Sequence, residues 1–140
     1  MMKSQISAYN QVNHYSGVTD ASPHQLVKML LDGATNKLST ARGMMERGEM
    51  ATKGQVIGQA ISIITGLQSS LDLDAGGDIA LNLDSLYDYM VRRLTTANLN
   101  NDAEPVDEVL ALLKQIGSAW EGIPQEMRVA NRVTAQAVGE

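Results

Sequence analysis

Cysteine and phenylalanine are both absent from this chain of 140 residues, and tryptophan occurs once. Without Cys there can be no disulfide and no thiolate zinc site, a usage consistent with a reducing compartment. Without Phe, a core has to be assembled from Leu, Ile, Val, Ala and Met, which suits helices packed on helices better than a sheet. Basic residues are also scarce: 11 Lys and Arg against 16 Asp and Glu give a formal charge of −5. That balance repels nucleic acid and anionic lipid phosphates, so neither is an expected partner. No apolar run approaches a membrane span, and the opening MMKSQISAYNQVNHYSG carries one Lys and no apolar signal core. The expectation is a cytoplasmic protein with no membrane insertion.

What remains is enough for one domain with a single sizeable hydrophobic core. Residues 1–20 are polar with spaced apolar anchors at Ile6, Tyr9, Val12 and Tyr15, the pattern of an arm that docks. A first helix opens at Ser22-Pro23-His24-Gln25: the Ser caps, Pro suits the first helical position, and Gln three residues on reaches back. Val27, Leu30, Ala34, Leu38, Ala41 and Met45 then recur at spacings of three and four until Gly48. A second helix is expected from about Thr52 to Leu71, with Ile57, Ala60, Ile61, Ile64 and Leu67 on one face and Val56 and Ile63 broadening it. Gly54, Gly58 and Gly66 each cost it about 1 kcal/mol against Ala, so packing must hold it together.

The stretch Asp72 to Gly77 reads as a reversal, and Asn82 to Asp102 as an amphipathic third helix with an unusually broad apolar band. At about 100° per residue, Ile79, Leu83, Leu86, Met90, Leu94 and Ala97 form its core stripe. Ala80, Tyr87 and Val91 extend one flank, and Tyr89 and Arg93 border the other. Two phenols and a guanidinium framing an apolar strip are commoner at contact surfaces than inside bundles; a neighbouring helix or a chain terminus covering the extra rows is the alternative. A fourth helix stacks Val106, Val109, Leu110, Leu113, Ile116 and Trp120, with Pro105 in its first turn and Leu112 on a flank. The fold class expected is all-α: an antiparallel up-down four-helix bundle over residues 21–123, with a docking arm before it and a tail, 124–140, that holds a possible short fifth helix.

Sites for chemistry are sparse. Asp72, Asp74 and Asp78 fall at positions 1, 3 and 7 of a calcium-type loop with Gly77 at position 6, but Gly76 and Leu83 stand where ligands are needed. His14 and His24 have no second ligand at metal spacing and are expected in solvent. No phosphate loop, nucleophile elbow or Cys nucleophile occurs. The reading is a non-enzymatic binding protein with no catalytic residue, cofactor or metal. Arg93 is expected to pair with a carboxylate, of a partner or of this chain, and Arg92 to face water. Asn98 either stops its helix or offers amide hydrogen bonds to an extended segment.

Several separated motifs, in order, closely resemble one family. They are ASPHQL at Ala21–Leu26, LDGA at Leu31–Ala34, GGDIALNL at Gly76–Leu83, LYDYMVRRL at Leu86–Leu94 followed by Ala97-Asn98, and EVLALL at Glu108–Leu113 ending in Ala119-Trp120. The chain is similar to the flagellin-specific export chaperones, FliS, over about residues 6–123. The resemblance implies a compact bundle that binds the C-terminal region of flagellin, prevents premature polymerisation and aids delivery to the flagellar type III export gate. The spare apolar rows would then be grooves for flagellin helices, lined by Val56, Ile63, Leu67, Tyr87, Tyr89, Val91, Arg93, Asn98, Leu112 and Ile116. Ile6 and Tyr9 match an N-terminal segment that covers an apolar pocket and moves when flagellin binds. The alternative is a self-associating structural bundle without flagellin binding, and a homodimer of the free protein is compatible with either reading.

Overall fold

The computed structural model describes residues 22–123; the arm and its anchors Ile6 and Tyr9, and the tail 124–140, lie outside the described residues. Four helices follow one another: α1 (Pro23–Arg47), α2 (Met50–Ser69), α3 (Leu73–Asn100) and α4 (Ala103–Glu121). Neighbours pack in a closed ring, α1 on α2, α2 on α3, α3 on α4 and α4 on α1. Cross-links fix the direction of travel. Arg42 near the end of α1 meets Asp107 near the start of α4, while Trp120 at the end of α4 meets His24 at the start of α1. Lys53 at the start of α2 meets Asn98 near the end of α3, and Gln68 at its other end meets Asp84. The helices therefore alternate up and down, as short loops require.

The local chemistry of the termini explains the boundaries. Ser22 accepts from the Gln25 backbone N–H while the Gln25 side chain accepts from the Ser22 N–H at 2.9 Å, a complete capping box. At the other end Gly48 takes the left-handed conformation that a helix stop favours. Helix α2 begins two residues earlier than its spacing suggests, at Met50.

The larger departure is at α3. The expected reversal Asp72 to Gly77 is mostly a helical turn: Asp72 caps Asp74 and Ala75 through its carboxylate, and the chain then kinks at Gly77, where φ is 56° and ψ is −138°. Such a backbone is almost confined to glycine.

The core confirms the helical bundle but shifts one stripe. Leu30, Leu31 and Leu38 of α1, Ile57, Ile64 and Leu67 of α2, Met90 and Leu94 of α3, and Val106, Val109 and Leu113 of α4 are sealed from solvent. Each such side chain contributes about 1.5–3 kcal/mol. On α3 the buried row is Ala80, Tyr87, Met90, Leu94 and Ala97, with Leu83 partly buried, so the stripe is displaced by one residue in its first half. Ile79, expected in the core, is 75 % exposed, and Tyr87, expected on a flank, is 2 % exposed. Spacings of three and four accommodate either row; the wide Tyr87 ring takes the inward position in a chain that has no Phe.

Two buried polar groups complete the interior. Lys53, 3 % exposed, donates from Nζ to the Asn98 carbonyl at 3.1 Å, satisfying one of the last carbonyls of α3. His24, expected in solvent, is 8 % exposed and lies flat on Trp120, with ring centroids 4.9 Å apart and planes inclined by 12°. The Trp120 indole N–H donates to the His24 carbonyl at 2.9 Å, which ties the end of α4 to the start of α1.

Candidate functional site

Apolar surface left outside the core is concentrated on one helix. Among the described residues, the exposed large hydrophobic side chains are Leu73, Ile79, Leu81 and Leu99 of α3 and Met50 of α2. They do not form one strip. Ile79 and Leu81 point about 160° apart, whereas Leu81 and Leu99, roughly five full turns apart, share a face. A partner that used all of them would have to pass round α3.

At the end of the bundle where α1 and α3 start and α2 and α4 finish, the surplus deepens into an open cleft of about 280 Å³. Val27, Leu67, Leu71, Ile79, Leu83, Ile116 and Trp120 supply apolar walls, and Ala75, Gly76 and Ala80 form its rim on the kinked segment. The kink is what opens it, because Leu73 to Gly76 would otherwise continue the axis of α3. At Gly76 an added Cβ would lie 2.5 Å from the Cβ of Ala80, so this rim tolerates no side chain without moving. Tyr87 lines the cleft, and no described residue accepts a hydrogen bond from its hydroxyl. Burial raises that phenol's pKa to about 12.

The opposite side of α3 holds a polar clasp. Tyr89 donates to both Glu108 carboxylate oxygens at 2.9 and 2.8 Å, and Arg93 Nε donates to Oε1 at 2.8 Å. The Arg93 hydrogen bond, then that of Tyr89, holds the Glu108 carboxyl below its ordinary value, and Tyr89 is raised in return, chiefly by its bond to Glu108. Arg93 thus finds its carboxylate on α4, one turn from Leu112. Arg92 pairs loosely with Asp88 at 3.3 Å on the outer face.

The ten candidate residues within the described range do not converge on one surface. Leu67, Tyr87 and Ile116 meet at the cleft. Tyr89 and Arg93 meet at the α3–α4 clasp, with Leu112 alongside on α4. Asn98 faces α2, its Oδ1 3.6 Å from the position a Gly54 Cβ would take, and Val91 is half-buried two turns earlier on α3. Ile63 faces α1, with Cδ1 3.7 Å from a Gly33 Cβ position, and Val56, two turns away on the same side of α2, is buried too. These last two are core residues in this structure.

Sequence reasoning did not single out Leu73, Leu81 and Leu99, which the structure leaves exposed, and placed Ile79 inside. The residues sharing their helix face, Asp84, Ser85 and Asp88 with Leu81 and Arg92, Thr95 and Thr96 with Leu99, were the available signal, since an isolated Leu on a polar face has no core to join. Among the described residues no cluster of metal-ligating side chains occurs, and no helix is long and apolar enough to cross a membrane.

Comparison with known proteins agrees with this architecture. The family described as flagellar protein FliS matches residues 5–127. A flagellar secretion chaperone FliS of Salmonella typhimurium is 51 % identical over 84 % of this chain and 88 % of its own length. FliSB of Pseudomonas aeruginosa, also a flagellar secretion chaperone, is 49 % identical over 82 % of this chain and 91 % of its own. The Vibrio cholerae flagellar secretion chaperone FliS is 41 % identical over 99 % of both chains. With the match spanning the whole bundle, the chain belongs to the flagellar protein FliS family.

Proposed function

We propose that this chain is a cytoplasmic export chaperone that binds the C-terminal segment of flagellin stoichiometrically, prevents its premature polymerisation and presents it to the flagellar type III export gate. The mechanism is binding without chemistry. Flagellin's terminal segment, disordered when free, would pay an ordering cost on folding against the bundle, and a large apolar contact must exceed it. The observation that carries the reading is the apolar surplus of α3. Leu73, Ile79, Leu81 and Leu99 lie on different faces and at both ends of the bundle, the distribution suited to a wrapped, extended partner rather than to one helix in one groove. Val91, Tyr89, Arg93, Asn98, Leu112 and Ile116 lie along its course. Val56, Ile63, Leu67 and Tyr87 would reach flagellin only through a cleft or a groove that opens.

Calorimetric titration with a C-terminal flagellin fragment tests the proposal. The expected result is saturation at one fragment per chain with a negative heat-capacity change, together with suppression of flagellin assembly in a light-scattering assay. Absence of heat and of any effect on assembly would refute it.

A further inference from the structure

The outward face of α3 has the same pattern read from either end. We propose that this face pairs with itself in the free protein, two copies of the chain meeting along α3 in antiparallel register about a two-fold axis level with Met90. The pairing does not depend on flagellin binding; it uses a face that flagellin, in the reading above, takes over.

The symmetry lies in the spacing. Leu81 stands nine residues before Met90 and Leu99 nine after it, Ser85 and Thr95 five to either side, and Asp88 and Arg92 two to either side. At about 100° per residue all six fall within about 40° of the line joining Leu81 to Leu99. All six are exposed, while Met90 is sealed in the core behind them. Among the described residues α3 packs only on α2 and α4, and neither covers that line.

Self-complementarity follows from the inversion. With two such helices antiparallel, Leu81 of each copy comes level with Leu99 of the other, and Asp88 of each with Arg92 of the other. Leucine meets leucine at both ends, and opposite charges meet twice in the middle. A parallel pair would instead set Asp88 against Asp88 and Arg92 against Arg92, like charge on like. Within one chain Asp88 and Arg92 are joined loosely, at 3.3 Å, with both side chains largely exposed; the second copy closes them into a ring of two carboxylates and two guanidiniums. Ser85 and Thr95, between the charges and the leucines, are small enough to let the helix axes approach.

Charge also selects a second copy over the chain's own ends. Neither residues 1–20 nor residues 124–140 hold an acid and a base one helical turn apart, and the face of α3 does. An interface of two helices is small, so the dimer is weak and exchanges readily, as a face that gives way to another partner must.

Sedimentation of the full chain without flagellin tests the pairing. The parent is expected to pass from monomer to dimer over a concentration series reaching the millimolar range. Asp88→Arg and Arg92→Glu, each striking the interface twice, should each raise the dimer Kd at least about tenfold. An equimolar mixture of these two variants should associate again, because each then supplies the charges the other lacks. Disulfides report the register, the chain having no Cys of its own. Under mild oxidation Leu81→Cys mixed with Leu99→Cys should cross-link at least about tenfold faster than either variant alone, since like positions on the two copies stay about 27 Å apart. A parent that remains monomeric throughout, charge variants that do not recover on mixing, or Leu99→Cys linking to itself as fast as to Leu81→Cys would each overturn the proposal.

Discussion

Replacing Ile79 and Leu99 by Gln separates partner binding from stability, because both side chains are already in water. Full burial of an Ile or Leu stabilises by about 1.5–3 kcal/mol. With 75 % of Ile79 and 80 % of Leu99 still exposed, covering either by flagellin is worth about 1–2 kcal/mol, or about 5- to 30-fold in affinity. The two sit about 30 Å apart along α3, far enough for their effects to add, so the double variant should bind about 30- to 1000-fold more weakly. Gln is a good helix former, and folding stability should stay within about 0.5 kcal/mol of the parent. Leu94→Ala is the internal contrast: its side chain is sealed from solvent, so it should lose about 2–5 kcal/mol of stability and melt at least about 8 °C lower. Calorimetry with a flagellin C-terminal fragment and thermal melts by circular dichroism read the two quantities. Unchanged affinity in the double variant, or a melt lowered as far as that of Leu94→Ala, would refute the assignment of these residues to a partner surface.

Other perturbations test the features that shape the cleft and the clasp. Gly77→Ala forces a side chain onto a backbone with φ of 56° and ψ of −138°; urea titration should show a loss of about 1–3 kcal/mol, and no loss would mean that the kink is not held in solution. Tyr87, raised to about 12 by burial, should give a late step in the phenolate absorbance titration that Tyr87→Phe removes. Because its pKa is raised on folding, its contribution to stability is complete below about pH 10 and is lost as pH climbs towards the folded value. Glu108 is shifted the other way, held low by Arg93 and Tyr89. Its contribution is present above the ordinary carboxylate value and disappears as pH falls through the lower folded one. Glu108→Gln should therefore flatten the acid limb of the stability profile, and an unaltered limb would show that the clasp does not form.

The end of the chain's first helix and the kink in its third show what a sequence can and cannot disclose. Ser22, Gln25 and Gly48 act through neighbours no more than four residues away, so their roles are readable from spacing alone and appear in the structure as a capping box and a left-handed stop. The same holds for Pro105 at the start of α4. His24 and Lys53 are different. What buries them, Trp120 and the Asn98 carbonyl, is 96 and 45 residues distant, and no local pattern encodes the encounter. Ile63 illustrates the intermediate case: periodicity places it correctly on a broad apolar face, but only the approach of Gly33 on α1 decides that this part of the face is core.

Tyr87 and Ile79 carry this reasoning to function. A helix with more apolar residues than its stripe needs must leave some outside, and periodicity gives the surplus without saying which residues form it. Packing settles the choice by size and by what the neighbours permit. The Tyr87 ring goes in, Ile79 goes out at the mouth of a cleft, and the Gly76-Gly77 pair lets the chain bend there without a side chain in the way. Periodicity therefore gives how much apolar surface is in surplus, and packing gives which residues carry it. Leu81 and Leu99, exposed on the polar face of α3, are the part of that surplus that no contact within the described bundle explains.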